Sequence, residues 1–112
     1  MSHPYLDEEL FEELRSILDG EFPTLIRTFV QDSGLRVDEV QAAFAQGRID
    51  DVRKAAHSLK GASANLGLAQ LAEQCRQLEE AARDGAVAGE AVRVEAIARE
   101  RERAVQILLD RI

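Results

Sequence analysis

The run Arg53-Lys-Ala-Ala-His57-Ser-Leu-Lys60-Gly61-Ala-Ser-Ala-Asn-Leu-Gly67 sets one imidazole among cations and small residues. At about 100° per residue, Arg53, Lys54, His57, Lys60, Gly61 and Ala64 share one face of a helix. Val52, Ala55, Leu59, Ala62 and Leu66 fall on the other face and read as a core stripe. A neutral imidazole nitrogen is a competent nucleophile near pH 7, its reference pKa being about 6.5. A phosphoryl group carried there would bring roughly two negative charges, which Lys60, one turn along, can offset. Gly61 costs a helix roughly 1 kcal/mol against alanine, so it needs a reason. Close approach of another molecule beside His57 supplies one. A convex histidine on a rigid helix suits insertion into a partner's active site, where the partner provides the metal and the acid.

Other chemistries fit less well. A lone histidine on a helix surface is most often just a surface residue, and Lys60 can be ordinary solvated charge. His3, beside Pro4, reads as an exposed terminal residue with no role. Metal binding needs further ligands at suitable spacing, and no second histidine or cysteine cluster lies near His57 in the sequence. Ser63 falls mid-helix and not on the strand-to-helix elbow that serine nucleophiles use. Neither a Walker A loop nor a kinase-type glycine loop is present. A phosphatase working through phosphohistidine needs an arginine-lined cleft and a second acid, and the chain shows neither arrangement. The expectation is a chain with no kinase module, no cofactor and no metal of its own. The competing class is a helical adaptor that only binds proteins, with His57 incidental.

The elements that must position His57 follow from composition and period. The 112 residues are 46% hydrophobic and 31% charged, the profile of one globular domain, taken as 1–112. Strand formers never alternate over a useful length, so the class is all-α. The net charge of −7 argues against nucleic acid as a partner, since phosphate neutralisation needs a basic face. No apolar run approaches the ~20 residues of a membrane span, and no signal-peptide pattern opens the chain. The single cysteine, Cys75, suits a reducing cytoplasm and reads as a small core residue.

After a frayed lead-in over 1–5, the periodicity predicts a first helix over 6–18 with Leu6, Leu10, Leu14 and Ile17 as its stripe. A second begins near Glu21, with Pro23 in its first turn, and runs to Gly47. Phe22, Ile26, Phe29, Ser33, Val37, Val40 and Phe44 form its stripe, which continues through Gly34 and reads as one long helix with room for a bend there; the alternative is two short helices broken at that point. The third starts at 49–51, carries the His57 face and stops at Gly67. The fourth spans 68–83 with Leu68, Leu71, Cys75, Leu78 and Ala82 inward. The fifth runs over 89–110, with Ala91, Val94, Ala98, Val105, Leu108 and Ile112 as a seam and Arg101 as a misfit expected to snorkel. Its Arg-Glu-Arg-Glu-Arg segment, 99–103, reads as a solvated face. Short connections favour antiparallel neighbours, hence an up-down four-helix bundle with the short first helix capping one end.

The run His57-Ser-Leu-Lys60-Gly61-Ala-Ser-Ala-Asn-Leu-Gly67 resembles the His-x-x-Lys-Gly-x-x-x-x-x-Gly signature of histidine-containing phosphotransfer (HPt) domains. The resemblance extends over nearly the whole chain in helix order and length. It implies that His57 is phosphorylated at Nε2 and that Lys60 assists the phosphate. It also implies that Gly61 leaves room for a receiver domain. An acidic or amide side chain on the next helix often bonds the other ring nitrogen in this family, and Glu79 matches that position; the plainer alternative is surface charge. Position 79 lies 12 residues after Gly67 and His57 lies 10 before it, which matches the two to within a turn across antiparallel helices. The implied function is relay between receiver aspartates, or from a hybrid sensor kinase to a response regulator. Mg2+ is expected only on the receiver. A stand-alone monomeric carrier and a tail excised from a hybrid kinase both fit the length. Gly61, Ala64, Arg53 and Lys54, with Leu14, Leu18, Phe22 and Leu25 from the first two helices, are the expected receiver-docking residues.

Overall fold

A computed structural model of the chain describes residues 5–112. Residues 1–4, and with them the expectation for His3, lie outside the described residues. Five α-helices follow in order: α1 (Glu8–Leu18), α2 (Phe22–Ala45), α3 (Ile49–Asn65), α4 (Ala69–Arg83) and α5 (Ala91–Leu109). A single 3-10 turn, Asp19–Glu21, joins α1 to α2. No strand occurs among the described residues. Helices α2 to α5 form the bundle: each packs on its neighbours in chain order, and α5 closes the ring against α2. The connections 46–48 and 66–68 are too short to carry the chain back along a helix, so successive helices run antiparallel. No helix among the described residues is long and apolar enough to cross a membrane.

The core is a continuous aliphatic cluster threaded by the expected stripes. Ile26, Val40, Val52, Leu59, Leu71, Cys75, Leu78 and Leu108 are fully enclosed. Each buried aliphatic side chain of this size contributes about 1.5–3 kcal/mol. On α2 the stripe extends from Phe22 through Ser33 to Val40, with Ala43 completing it and Phe44 only half-buried.

Helix α1 departs from its expected stripe. Its buried residue is Phe11, which meets Phe22 edge-on with ring centroids 5.0 Å apart, while Ile17 is 71% exposed. Leu10 and Leu14 are half-buried. The reason is geometric: α1 meets α2 at few points and is held by Arg15, which donates to the Arg111 carbonyl at 2.8 Å, and by contacts at its start. There Asp7 caps the helix by accepting from Leu10 N–H, the Asp7 N–H donates to the Gly67 carbonyl at 2.7 Å, and Glu8 pairs with Arg111 through both carboxylate oxygens. Tyr5 does not fray; the Arg103 guanidinium stacks 4.3 Å from its ring centre.

At Gly34 the expected long helix holds, whereas at Arg101 the structure departs from expectation. Helix α2 passes through Gly34 as one unbroken helix. A Cβ at Gly34 would sit 3.1 Å from the Arg101 guanidinium, which occupies the space that the glycine leaves. Arg101 does not snorkel: its Nε donates to Ser33 Oγ at 2.9 Å and a terminal N–H donates to the Val30 carbonyl. The 99–103 segment is therefore not wholly solvated, since Arg101 turns onto α2 and Glu100 is buried. Ile97 and Ala104 lie on the core side, whereas Ala91 and Ile112 are exposed, so the true seam of α5 is rotated from the heptad reading.

Candidate functional site

Helix α3 is stopped by local chemistry that also fixes the level of His57. Leu68 N–H donates to the Ser63 carbonyl at 2.9 Å and Gly67 N–H to the Ala64 carbonyl at 3.0 Å, the paired closing bonds of a helix that ends on a left-handed residue. Gly67 has φ +77. The chain then reverses into α4, and Glu79 returns beside His57.

The two residues meet directly. His57 Nδ1 lies 2.7 Å from Glu79 Oε2, and Lys60 Nζ lies 2.7 Å from Glu79 Oε1. The His57 side chain is 64% exposed, whereas Glu79 is 3% exposed. Burial by itself would raise the Glu79 carboxyl, but the hydrogen bonds from Lys60 and His57, with the Lys60 charge, outweigh it and hold the group below the usual carboxylate range. An ionised carboxylate can only accept. Nδ1 is then the nitrogen that carries the proton, and Nε2 keeps its lone pair. Sequence alone placed Lys60 beside a future phosphate; the structure shows it bonded to Glu79.

A third cation completes the group. Arg83, one turn beyond Glu79 on α4, donates to the same Oε2 at 3.2 Å. Sequence reasoning missed it, although Glu79 and Arg83 stand at the i, i+4 spacing of helix ion pairs. One turn before Glu79, Cys75 is buried, and burial together with the nearby Glu79 charge pushes its thiol up to about 12. It stays protonated and packs as a core residue.

The expected docking residues divide. Gly61 is exposed, and a Cβ built there would meet nothing within 4 Å, so packing within the chain gives no reason for glycine. Ala64 is exposed beside it. Leu14, Leu18 and Leu25 line one groove with Ala62 and Leu66, between α1, α2 and α3. Lys60 and Ala64 line a second groove with Leu10 and Ala72, on the α4 side. Phe22 belongs to neither; it is buried against Phe11 and presents no surface to a partner. Arg53 and Lys54 are turned toward Asp50, at 2.9 and 3.2 Å, one turn before His57.

A sequence model of the Hpt domain family matches residues 24–112. The chain belongs to the Hpt domain family. Among solved structures it is similar to histidine-containing phosphotransfer protein B from Pseudomonas aeruginosa PAO1, with 37% identity, a TM-score of 0.91, and coverage of 98% of this chain and 95% of that one. The maize histidine-containing phosphotransfer protein ZmHP2 shares the fold at 23% identity and TM-score 0.83, covering 97% of this chain and 92% of its own. A putative histidine-containing phosphotransfer protein from rice does so at 22% identity and TM-score 0.80, covering 95% of this chain and 82% of its own. No curated protein sequence gives a match. The Hpt assignment carries a histidine phosphotransfer role in a phosphorelay, and the all-α bundle is that of the Hpt structures.

Proposed function

We propose that His57 is the phosphorylated residue and that the chain relays a phosphoryl group between the receiver domains of hybrid sensor kinases and response regulators. One observation carries this reading: an exposed imidazole is held by its Nδ1 against a buried, ionised carboxylate. The Nε2 lone pair attacks phosphorus in a receiver's aspartyl phosphate. The N–P bond forms as the P–O bond to the aspartate breaks, and the aspartate leaves as a free carboxylate. Nδ1 keeps its proton, so the ring becomes cationic, and Glu79 offsets that charge and fixes the ring plane. Lys60 turns from Oε1 toward the incoming phosphoryl oxygens. In this reading the chain acts as a monomer in the cytoplasm. The receiver supplies Mg2+, and this chain contributes neither a nucleotide site nor a cofactor. Gly61, Ala64, Leu14, Leu18 and Leu25 form the docking face, with Arg53 and Lys54 at its edge.

Incubation with phosphorylated receivers tests the assignment. Wild type takes up label as an acid-labile, alkali-stable adduct, and His57→Gln folds normally and takes up none. Label retained by His57→Gln would place the phosphate elsewhere.

A further inference from the structure

Three cationic or proton-bearing groups converge on the two oxygens of Glu79, and the relay described above uses only two of them. Lys60 holds Oε1, His57 Nδ1 holds Oε2, and Arg83 reaches that same Oε2 at 3.2 Å. The carboxylate is enclosed, while the Arg83 side chain is 61% exposed. With Lys60 in place, Arg83 adds little, because a longer pair reaching into water is screened.

Phosphorylation would change that balance. A phosphoryl group on Nε2 brings about two negative charges within reach of Lys60. Drawn to it, Lys60 must loosen from Oε1, and a buried carboxylate is then left facing a new anion with its chief counter-charge withdrawn. The ring's own positive charge is outweighed by the phosphoryl group bonded to it, and the other ionisable neighbours offer no substitute for Lys60. From α3 only His57 faces the carboxylate besides Lys60, and from α4 the Cys75 thiol is neutral. Arg83 is charged at any working pH, already touches the oxygen that receives Nδ1–H, and is anchored on the same helix in the favourable acid-before-base order.

We infer that Arg83 is a positioning residue for the transfer: it takes over as the counter-ion of Glu79 when Lys60 turns to the phosphoryl group. Oε2 then stays charged and fixed against Nδ1 in both states of the carrier. The inference rests on His57 being the phosphoacceptor.

Arg83→Gln and Arg83→Lys in the full chain test it. Two readouts are needed: transfer rate from a phosphorylated receiver against pH, and the 15N shifts of the His57 ring before and after phosphorylation. Before phosphorylation, Arg83→Gln keeps the wild-type ring spectrum, because Lys60 still holds Glu79. After it, the Nδ1 signal moves as the carboxylate takes up a proton. The transfer rate acquires a rise with pH above the ordinary carboxylate range, and at neutral pH it falls roughly two- to fivefold. Arg83→Lys restores both. A wild-type pH profile and phosphorylated ring spectrum for Arg83→Gln would overturn the inference. So would a ring change of equal size already present before phosphorylation, which marks a merely structural contact. Absence of phosphate on His57 in the wild type removes the phosphocarrier reading itself, and the inference with it.

Discussion

Lys60 and Glu79 are bonded to each other in the resting protein, Nζ to Oε1 at 2.7 Å, across the α3–α4 interface. The lysine that serves the phosphate is thus parked on the carboxylate that serves the ring. Its transfer to a phosphoryl oxygen is an exchange of one charge-assisted bond for another, so its net worth is less than a bond made from nothing. A charged hydrogen bond contributes about 1.5–3 kcal/mol. The lower end applies here, because the Lys60 side chain is 31% exposed. Lys60→Ala is expected to slow phosphoryl uptake by about tenfold and to reduce the yield of phospho-His57. Rapid-quench transfer assays at saturating receiver check this, and a rate within a factor of about two of wild type would deny Lys60 a role in the charged state.

Glu79 ties stability to pH in a definite direction. Its folded carboxyl lies below the ordinary value of 4.5, because Lys60 and His57 overcome the opposing effect of burial. A group depressed in the folded state stabilises the protein above its unfolded value and loses that contribution as pH falls through the folded value. Wild type is therefore expected to exceed Glu79→Gln in stability at neutral pH by about 1–3 kcal/mol. The gap should close as the solution is taken below pH 4.5 and through the depressed folded value. Urea unfolding of both proteins along a pH series measures it; a gap that widens on acidification would mean the carboxyl is not held ionised by its partners.

Most of this site was legible in the sequence because it depends on helical register. The stop at Gly67, the lengths on either side and the alternation of Leu59 and Leu78 into the core fix where His57 and Glu79 must meet. What sequence could not supply was which of several exposed cations the buried carboxylate would gather. Arg53, Lys54, Lys60 and Arg83 are equivalent as letters; only Lys60 and Arg83 reach Glu79, while Asp50 holds the other two. The fold shows the same division. The stripes of α2 and α4 were readable because bundle helices bury one face along their whole length. The stripe of α1 was not, because a helix that meets its neighbour at only a few points buries the residue that reaches inward, Phe11, and leaves Ile17 in water. Arg101 was misread for a related reason: periodicity marks a cation on a seam as a misfit, but not the acceptors, Ser33 and Val30, that wait opposite.

Gly61 separates stability from transfer. Since a Cβ there meets nothing within 4 Å, Gly61→Ala is expected to stabilise the fold by about 0.5–1 kcal/mol through helix propensity alone. Gly61→Gln should fold as well as wild type but transfer more slowly, because its longer side chain occupies the face that a receiver must cover. Thermal unfolding and transfer assays on the two variants check the pair. Normal transfer by Gly61→Gln would move the docking face away from this position.

Gly67 answers to two constraints at once, and they can be told apart. Its φ of +77 is strained for any residue with a Cβ, by about 1–2 kcal/mol for alanine and less for asparagine. A Cβ at Gly67 would also stand 3.0 Å from Asp7 Cβ and 3.1 Å from the Asp7 carbonyl oxygen, on the residue that caps α1. The second constraint is unyielding, because the backbone of Asp7 is itself bonded to the Gly67 carbonyl. Gly67→Ala should therefore destabilise the protein by more than the left-handed strain alone, and Gly67→Asn should recover only the part due to φ. Either side chain pushes the start of α1 away, so amide exchange at Leu10 and Phe11 should quicken in both variants while the amides of α4 hold. Transfer should fall as well, since Leu14 and Leu18 of α1 wall the groove beside Ala62. Full recovery by Gly67→Asn, with unchanged exchange in α1, would reduce Gly67 to a helix stop and leave the seat of α1 to other contacts.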